Sequence, residues 1–404
     1  MTEENMTEES KMKIFLFCRV IDNFGDIAVS WRLAQQLAKE HGAEVTLVSD
    51  QMAVFAQLDA RVCAASPSQI VAGIQIFAWL PAWEDDASVL LEKGWPQVVI
   101  EMFSCRLPAA YERALSQHSP RLAWLAVDYL SAESWVESYH TLPSPQSGGM
   151  VKYFFFPGFS AKTGGLFCEA ELMAHVLAKK SDVALDYPPP LTLYGMNRRS
   201  TDELWMSLFA YEPLILPEWV TFLSARDRPV TLFVPRGRVS DYLAATLGLD
   251  LPVDGCVILG SLRLRTLPML PSVQYDALLA ACDVNFVRGE DSLLRGLWAM
   301  KPLIWHIYPQ EADHHLVKLD AFLARYTENL SSSAAQALMA WHQAWNVTQF
   351  LPNDTPRSLV ETLWPTLEAQ WPALLNRAEG WPQILLQEGN FANRLVSFAK
   401  NALK

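Results

Sequence analysis

Short apolar runs that alternate with helix-like segments constrain the fold of this chain more strongly than any other feature of its sequence. Their apolar character is continuous, which is typical of parallel strands that are covered on both faces. In the first half of the chain they occupy 13–20, 43–49, 97–101 and 122–127, and in the second half 204–209, 230–234, 256–259, 284–287 and 302–308. Two successive sets of alternating β and α elements predict an α/β protein with two doubly wound, Rossmann-like domains that face a cleft.

The domain boundary is predicted at 187–190, where the prolines of Tyr-Pro-Pro-Pro form a stiff segment that interrupts regular secondary structure. The last part of the chain is mainly helical in pattern. We therefore expect four segments: a disordered tail at 1–12, an N-terminal domain at 13–186, a C-terminal domain at 187–375, and a C-terminal helix at 376–404 that packs back on the N-terminal domain.

Composition excludes several classes of protein. The formal net charge of -12 argues against a nucleic-acid surface, which needs a basic stripe, but it permits a cationic protein partner. The six cysteines are scattered without a C-x-x-C pair, so we expect neither zinc nor a disulfide framework. No apolar run suits a membrane span, and the acidic first ten residues lack the order of a signal peptide, which predicts a cytoplasmic protein.

The first candidate site is the turn Asp22-Asn-Phe-Gly-Asp26 between the opening strand and a helix. It lacks the G-x-G-x-x-G of a dinucleotide-binding loop, and two carboxylates would repel a diphosphate. One interpretation is local, with Asp26 capping a helix that begins at Ile27 and Asp22 setting the turn. The other is a carboxylate pair that binds a cation or accepts a proton, and the two interpretations are compatible.

The second candidate is the segment 285–292, again between a strand and a helix. A helix N-terminus offers free N–H groups to an anion such as a diphosphate. Arg288 and Ser292 would add donors, and Glu290 would accept hydrogen bonds from ribose hydroxyls. The alternative is structural: Asp291 or Ser292 is the N-cap of the helix, and Arg288 forms a surface ion pair.

Three weaker candidates remain. The glycines of 156–165, including Gly164 and Gly165, permit close approach of a ligand, although an interdomain turn is the commoner meaning. Phe209 and Tyr211 follow a strand and suit either stacking on a base or core packing. The segment 310–315 contains adjacent histidines that point in different directions without a third ligand, so no metal site is expected there.

Taken in order, these motifs resemble those of the EarP family, the bacterial protein-arginine rhamnosyltransferases that modify translation elongation factor P. Any one motif is weak, but the ordered set is specific and covers roughly 13 to 325. The matching segments are 22–34, 156–159, 163–165, 207–212, 285–292, 301–310 and 318–323. Ala28 stands where the family pattern leads us to expect glycine, and the first ten residues lie outside the match.

The resemblance implies a B-type glycosyltransferase fold, with the protein acceptor on the N-terminal domain and dTDP-rhamnose on the C-terminal domain. It implies an inverting transfer of L-rhamnose from dTDP-β-L-rhamnose to an arginine of elongation factor P, without a metal or a further cofactor. By position, Asp22 and Asp26 match essential aspartates, and Asp26 matches the proposed general base. The residues expected to bind the donor are Arg288, Glu290, Asp291, Ser292, Phe209, Tyr211, Gly164 and Gly165.

Two other functions stay open at this point. One is a nucleotide-sugar-dependent transferase or epimerase that acts on a small-molecule or lipid acceptor. The other is a non-catalytic protein that binds elongation factor P or a nucleotide. No residue pattern by itself distinguishes rhamnose from another deoxysugar, so the identity of the donor rests on the resemblance.

Overall fold

The computed structural model describes residues 11–21, 24–118, 121–178, 200–310, 313–352, 354–387 and 389–404. The chain divides into two compact units. The first unit comprises Met1–Leu130, Trp135–Glu169 and Glu388–Lys404, and the second comprises Ser131–Ser134 and Ala170–Gln387. The predicted boundary at 187–190 lies outside the described residues, whereas the contacts divide the chain after Glu169.

The first unit is built on one eight-stranded sheet. Its strands are β1 (Lys13–Cys18), β2 (Glu44–Ser49), β3 (Ser68–Val71), β4 (Ile74–Ala78), β5 (Val98–Met102), β6 (Ala123–Val127), β7 (Pro143–Pro145) and β8 (Val151–Phe155). Its helices are α1 (Gly25–His41), α2 (Met52–Leu58), α3 (Ser88–Leu91), α4 (Ala109–His118) and α5 (Trp135–Tyr139), together with the last helix of the chain, α15 (Phe391–Ala402). Two short 3₁₀ helices cover Pro81–Glu84 and Ser147–Gly149.

The strand order of this sheet is β3-β4-β2-β1-β5-β6-β8-β7. The six inner strands run parallel, and the edge strands β3 and β7 are antiparallel to their neighbours. β1 therefore lies at the point where the order of the strands reverses. Because right-handed crossovers on the two sides of this point place helices on opposite faces, the sheet is doubly wound.

The second unit is built on a six-stranded sheet. Its strands are β9 (Leu204–Leu208), β10 (Val230–Pro235), β11 (Cys256–Leu259), β12 (Leu262–Leu267), β13 (Val284–Arg288) and β14 (Leu303–His306). Its helices are α6 (Ala170–Ala178), α7 (Leu216–Ser224), α8 (Arg238–Leu247), α9 (Ser272–Ala281), α10 (Asp291–Trp298), α11 (His314–Tyr326), α12 (Ser332–Asn346), α13 (Pro356–Glu368) and α14 (Trp371–Leu385).

The strand order here is β11-β12-β10-β9-β13-β14, and only β11 is antiparallel. The order reverses at β9, so this sheet is doubly wound as well. The prediction of two doubly wound α/β domains is thus confirmed, while the cleft between them stays a prediction. Within the described residues, no helix combines the length and the apolar character that a membrane crossing requires.

Aromatic side chains fill the centre of the second unit. Trp219 packs on Phe286 of β13 and on Trp345 and Trp364, with ring centroids 4.7, 5.5 and 5.0 Å apart. All four side chains are fully buried. Trp345 and Trp364 belong to α12 and α13, so the helices beyond the last strand are part of the core of this unit.

The predicted C-terminal segment 376–404 is divided between the units. α14 belongs to the second unit, whereas α15 belongs to the first. Phe391 at the start of α15 lies 4.2 Å from Phe167 and 5.3 Å from Phe155, measured between ring centroids. The side-chain amide of Asn390 also donates to the Cys168 carbonyl at 2.7 Å.

Candidate active site

The carboxyl end of β1 is the natural binding position in the first unit. Loops that follow parallel strands at the point of reversal splay apart, which leaves a crevice for a ligand. The chain leaves β1 through Arg19, Val20 and Ile21 and enters α1 at Gly25. Asp22 lies outside the described residues, so its predicted role stays a prediction.

Asp26 lies in the first turn of α1 and is 2% exposed. Its Oδ2 accepts a hydrogen bond from the backbone N–H of Ile21 at 2.7 Å and one from the Tyr129 hydroxyl at 3.4 Å. The positive end of the α1 dipole also favours the ionised carboxylate. Burial raises the pKa of the neighbouring Cys18 thiol well above its usual range, so this thiol is neutral beside Asp26.

The predicted capping by Asp26 is wrong. The helix begins at Gly25 rather than at Ile27, and Phe24 occupies the N-cap position without a side-chain cap. Asp26 instead holds the strand-to-helix turn together through the N–H of Ile21. A buried carboxylate at this position suits a cation, which agrees with the second interpretation of the turn.

Gly164 and Gly165 lie in the first unit, where both have a structural reason to be glycine. A Cβ on Gly164 would come within 2.7 Å of Phe155 and 2.9 Å of both Phe391 and the Phe156 carbonyl. Gly165 has a φ of +77°, in the left-handed region that favours glycine. Their part in donor binding stays a prediction.

The second unit presents cationic and aromatic groups at the equivalent place. Arg288 ends β13, beside β9. Its guanidinium carbon lies 4.2 Å from the ring centroid of Phe209 and 4.8 Å from that of Tyr211, and its Nη1 donates to the Ala210 carbonyl at 3.2 Å. The Arg288 guanidinium thus lies within cation–π distance of two aromatic rings.

Tyr211 contacts His306 of β14 through its backbone and its ring. The Tyr211 N–H donates to His306 Nδ1 at 3.2 Å, and the two rings are 5.2 Å apart. Burial, helped by the neighbouring side chains of His315, Arg288 and Arg238, lowers the pKa of His306 to about 3. His306 is therefore neutral, which leaves Nδ1 able to accept the hydrogen bond.

A second arginine lies near Tyr211. Arg238, the first residue of α8, has its guanidinium carbon 5.4 Å from the Tyr211 ring. It also donates two hydrogen bonds to Glu212, at 2.6 and 2.7 Å. This bidentate pair fixes the orientation of the guanidinium beside Tyr211.

The turn from β13 into α10 contains the other predicted donor-binding residues. Ser292 is 4% exposed, and its hydroxyl accepts from the Arg288 N–H at 3.0 Å and donates to the Arg288 carbonyl. Glu290 accepts a hydrogen bond from Lys318 of α11 at 2.5 Å. Glu290 and Lys318 thus give this turn a carboxylate and an ammonium group side by side.

The predicted cap of α10 is wrong, because the helix begins at Asp291 and Glu290 occupies the N-cap position without a side-chain hydrogen bond to the helix. Asp291 is the acidic residue of the first turn, and Ser292 is the second residue of the helix. The roles of Glu290, Asp291 and Ser292 in donor binding stay predictions.

Several residues of these sites were missed by sequence reasoning. Lys318, Arg238 and Tyr275 of α9 surround the second site, where Tyr275 lies 5.8 Å from Phe209 between ring centroids. Tyr129 was missed in the first site, although it follows the predicted strand 122–127 and could have been found from its place at the carboxyl end of that strand. Tyr275 lies inside a helix and carried no such signal.

The described residues contain no group of three or more His, Cys, Asp or Glu side chains arranged to hold a metal ion. Metal-independent transfer stays a prediction, which requires a chelator experiment.

The chain is similar to one protein family over nearly its whole length. The profile of the family described as "Elongation-Factor P (EF-P) rhamnosyltransferase EarP" matches residues 14–400. The protein-arginine rhamnosyltransferase of Pseudomonas aeruginosa is 40% identical over 384 residues, which cover 95% of this chain and 97% of that protein. The protein-arginine rhamnosyltransferase of Pseudomonas putida is 38% identical over 392 residues, which cover 96% and 98%.

Solved structures show the same fold. The structure described as the "Structural basis for EarP-mediated arginine glycosylation of translation elongation factor EF-P" has a TM-score of 0.65 at 31% identity and covers 97% of this chain and 100% of that chain. MurG of Acinetobacter baumannii has a TM-score of 0.50 at 13% identity, with 97% and 99% covered. The B-type glycosyltransferase fold that the resemblance implied is thus confirmed.

Proposed function

Since the chain belongs to the EarP family of elongation factor P rhamnosyltransferases, we propose that it transfers L-rhamnose from dTDP-β-L-rhamnose to one arginine of translation elongation factor P. It is a glycosyltransferase that modifies arginine in a protein, and the proposed transfer inverts the anomeric centre. The observation that carries this proposal is the buried Asp26 carboxylate in the first turn of α1. An acceptor guanidinium is a cation, and this is an anionic group at the ligand-binding end of a doubly wound sheet. The reaction takes place in the cytoplasm, where translation factors act.

The acceptor chemistry sets the role of Asp26. A guanidinium has a pKa above about 12, so a carboxylate does not deprotonate it in advance. Asp26 orients the guanidinium through charge-assisted hydrogen bonds and takes the proton as the nitrogen bonds to the anomeric carbon. Asp22 would hold the second nitrogen of the same group.

The leaving group sets the role of the second unit. As the N–C bond forms, the bond from the anomeric carbon to the diphosphate oxygen breaks, and its electron pair leaves with dTDP. Arg288 and the free N–H groups at the start of α10 stabilise the charge that develops on that oxygen. Phe209 and Tyr211 bind the thymine nucleotide, Glu290 accepts hydrogen bonds from the sugar, and Asp291 and Ser292 complete the donor site.

The decisive experiment incubates the protein with dTDP-rhamnose and purified elongation factor P and follows the mass of the factor. We expect a gain of one deoxyhexose on one arginine, unchanged after thorough chelation of divalent metals. Consumption of the donor without this gain would instead support a transferase or epimerase with another acceptor. Absence of both would support a binding protein, and activity that returns only with added Mg²⁺ or Mn²⁺ would refute metal independence.

The assignment of Asp26 is tested by Asp26→Asn. We expect transfer to fall below detection, because the amide neither takes the proton nor balances the guanidinium charge, while binding of dTDP by calorimetry stays unchanged. The control is Asp227→Asn, an exposed aspartate just before β10. Near-normal turnover by Asp26→Asn would show that Asp26 is not the base.

The donor site is tested by Glu290→Ala. We expect weaker binding of dTDP-rhamnose with an unchanged circular dichroism spectrum. The variant removes the carboxylate that accepts hydrogen bonds from the sugar of the donor, and it leaves Lys318 without this carboxylate. Glu361→Ala is the control, since it removes a carboxylate that pairs with Arg357 on an exposed helix face. Unaltered donor affinity in Glu290→Ala would remove Glu290 from the donor site.

A further inference from the structure

Two loops of the first unit converge on Asp26 from strands that are far away in the sequence. One follows β5 and contains Phe103 and Ser104; the other follows β6 and contains Asp128 and Tyr129. β5 lies between β1 and β6 in the sheet, so both loops leave the sheet at the edge where Asp26 lies. The Tyr129 hydroxyl reaches Asp26 Oδ2 at 3.4 Å.

The loop after β5 has an unusual backbone. Phe103 and Ser104 have φ angles of +53° and +57°, so two consecutive residues with side chains occupy the left-handed region. Side chains disfavour this region, and conformations of this kind gather at functional sites. The Phe103 N–H donates to the Val127 carbonyl at 2.7 Å, which fixes this backbone against β6.

The strained backbone places the Phe103 ring under Tyr129. The two rings are stacked with centroids 4.7 Å apart and planes at 24°, and Phe103 is 3% exposed. Asp128 joins the two loops, because its carboxylate accepts from the Tyr129 N–H at 2.8 Å and from the Ser104 hydroxyl at 3.4 Å. Position and tilt of Tyr129 are therefore set by both loops.

We infer that Tyr129 is a positioning residue of the transfer reaction, whose hydroxyl holds the Asp26 carboxylate in its ionised form and in the orientation that receives the acceptor guanidinium. This inference rests on the proposed function, because it acts through Asp26. The hydroxyl and the Ile21 N–H both donate to Oδ2. Two donors on one oxygen stabilise the charge and restrict rotation of the carboxylate.

The surroundings of Asp26 explain why such donors are needed. Asp26 is buried, and burial favours the neutral acid. Cys18 of β1 interacts electrostatically with Asp26 and with Asp50, which follows β2. Tyr129 of the loop after β6 contacts Asp26, and Asp128 is hydrogen-bonded to Tyr129. Arg19, in the loop after β1, forms an ion pair with Glu84 at 3.3 Å.

Tyr129→Phe removes the hydroxyl and keeps the ring on Phe103. We expect kcat to fall roughly tenfold, the equivalent of one hydrogen bond to a charged group, while KM for dTDP-rhamnose changes less than about twofold. The acidic limb of the pH–rate profile moves to higher pH by about one unit, since the carboxylate protonates more readily. Phe103→Leu, which removes the stack and keeps an apolar side chain, gives the same shift to a smaller extent.

The matched control is Tyr139→Phe, the same change on a 52% exposed tyrosine of α5, which leaves the profile unchanged. A fall of kcat in Tyr129→Phe with the acidic limb at its wild-type position would show a merely structural role and overturn the inference. A pH–rate profile of Tyr129→Phe that matches the wild-type profile in height and position would also overturn the inference. In either case, transfer by the wild-type protein would leave the proposed function intact.

A direct titration separates the inference from the proposed function. Protein labelled with ¹³C at the aspartate carboxyl carbons is titrated by NMR, and the Asp26 signal is the one that disappears in Asp26→Asn. A higher titration midpoint in Tyr129→Phe supports the inference even if the assay for elongation factor P shows no transfer. An unchanged midpoint overturns it whatever the assay shows.

Discussion

Gly164→Ala decides between two explanations of a glycine-rich loop. The loop 156–165 is either a ligand cradle or a turn packed against the core. In the structure an added Cβ on Gly164 would lie 2.7 Å from Phe155 Cε1, 2.9 Å from Phe391 Cε2 and 2.9 Å from the Phe156 carbonyl oxygen. Phe155 is 1% exposed and Phe391 is fully buried, so neither ring can move aside freely.

The size of the effect follows from these distances. Contacts below 3 Å to two buried rings and a backbone oxygen amount to overpacking, which costs about 1–3 kcal/mol. With a denaturant slope of about 2 kcal/mol per molar urea, a loss of about 2 kcal/mol lowers the urea midpoint of the first unit by roughly 1 M. Affinity for dTDP stays unchanged if packing is the reason for the glycine.

The assay combines urea unfolding, followed by circular dichroism, with calorimetric titration of dTDP. Gly380→Ala is the matched control, because Gly380 lies in α14 with nothing within 4 Å of the added Cβ. That substitution should raise stability by up to about 1 kcal/mol. A Gly164→Ala variant with a wild-type urea midpoint and weakened dTDP binding would refute the packing argument and support the ligand cradle.

Two further predictions concern stability. Asp276→Asn should lower the free energy of unfolding by about 3–5 kcal/mol, because it removes the charge that faces the buried Arg295 guanidinium at 2.7 Å. The control Glu361→Gln, at the exposed pair with Arg357, should leave the free energy of unfolding nearly unchanged. Equal urea midpoints for the two variants would contradict this prediction. Burial lowers the pKa of His342 from 6.5 to about 4, so the unfolded chain binds a proton in this range that the folded chain does not, and stability should fall as the pH falls from about 6.5 to about 4. His342→Asn should flatten this part of the curve of stability against pH, and an unchanged slope would show that His342 does not contribute.

The central strands could be predicted from the sequence because each is a continuous apolar run. β1, β2, β5 and β6 lie within or close to the predicted ranges, as do β9, β10, β13 and β14. The hairpin of β3 and β4 was missed. Its two-residue turn is Ala72-Gly73, with both φ angles positive, and alanine at a left-handed position carries none of the Asn-Gly or Asp-Gly signal that reveals such turns.

The residues of the candidate site also divide into those that could be predicted from the sequence and those whose contacts could not. Asp26 and Arg288 could be predicted because each adjoins a recognisable strand and belongs to a motif that resembles a family. Tyr129 follows a predicted strand and Lys318 begins a matching segment, but their contacts with Asp26 and Glu290 could not be predicted, since they join residues 103 and 28 positions apart. Such contacts depend on the order of strands and on helix packing, which a local pattern does not contain.

The helix caps show a limit of a different kind. Each was an interpretation from residue preference, left open beside a functional one, and both were wrong, because Phe24 and Glu290 occupy the N-cap positions. Each side chain turns back to the end of the preceding strand, Asp26 to the N–H of Ile21 and Ser292 to the backbone of Arg288. Residue preference therefore located the turns correctly and assigned the wrong bonds within them.

The two units place side chains of opposite charge at the same topological position. Each sheet reverses its strand order at its first strand, and each places a polar group at the carboxyl end of that strand or of its neighbour. In the first unit this group is the Asp26 carboxylate, which occupies the positive end of α1 that a phosphate would otherwise use. In the second it is the Arg288 guanidinium, close to two aromatic rings, and the start of α10 follows it. The fold provides the same topological position twice, and the side chains determine that one suits a cationic group and the other an anionic group.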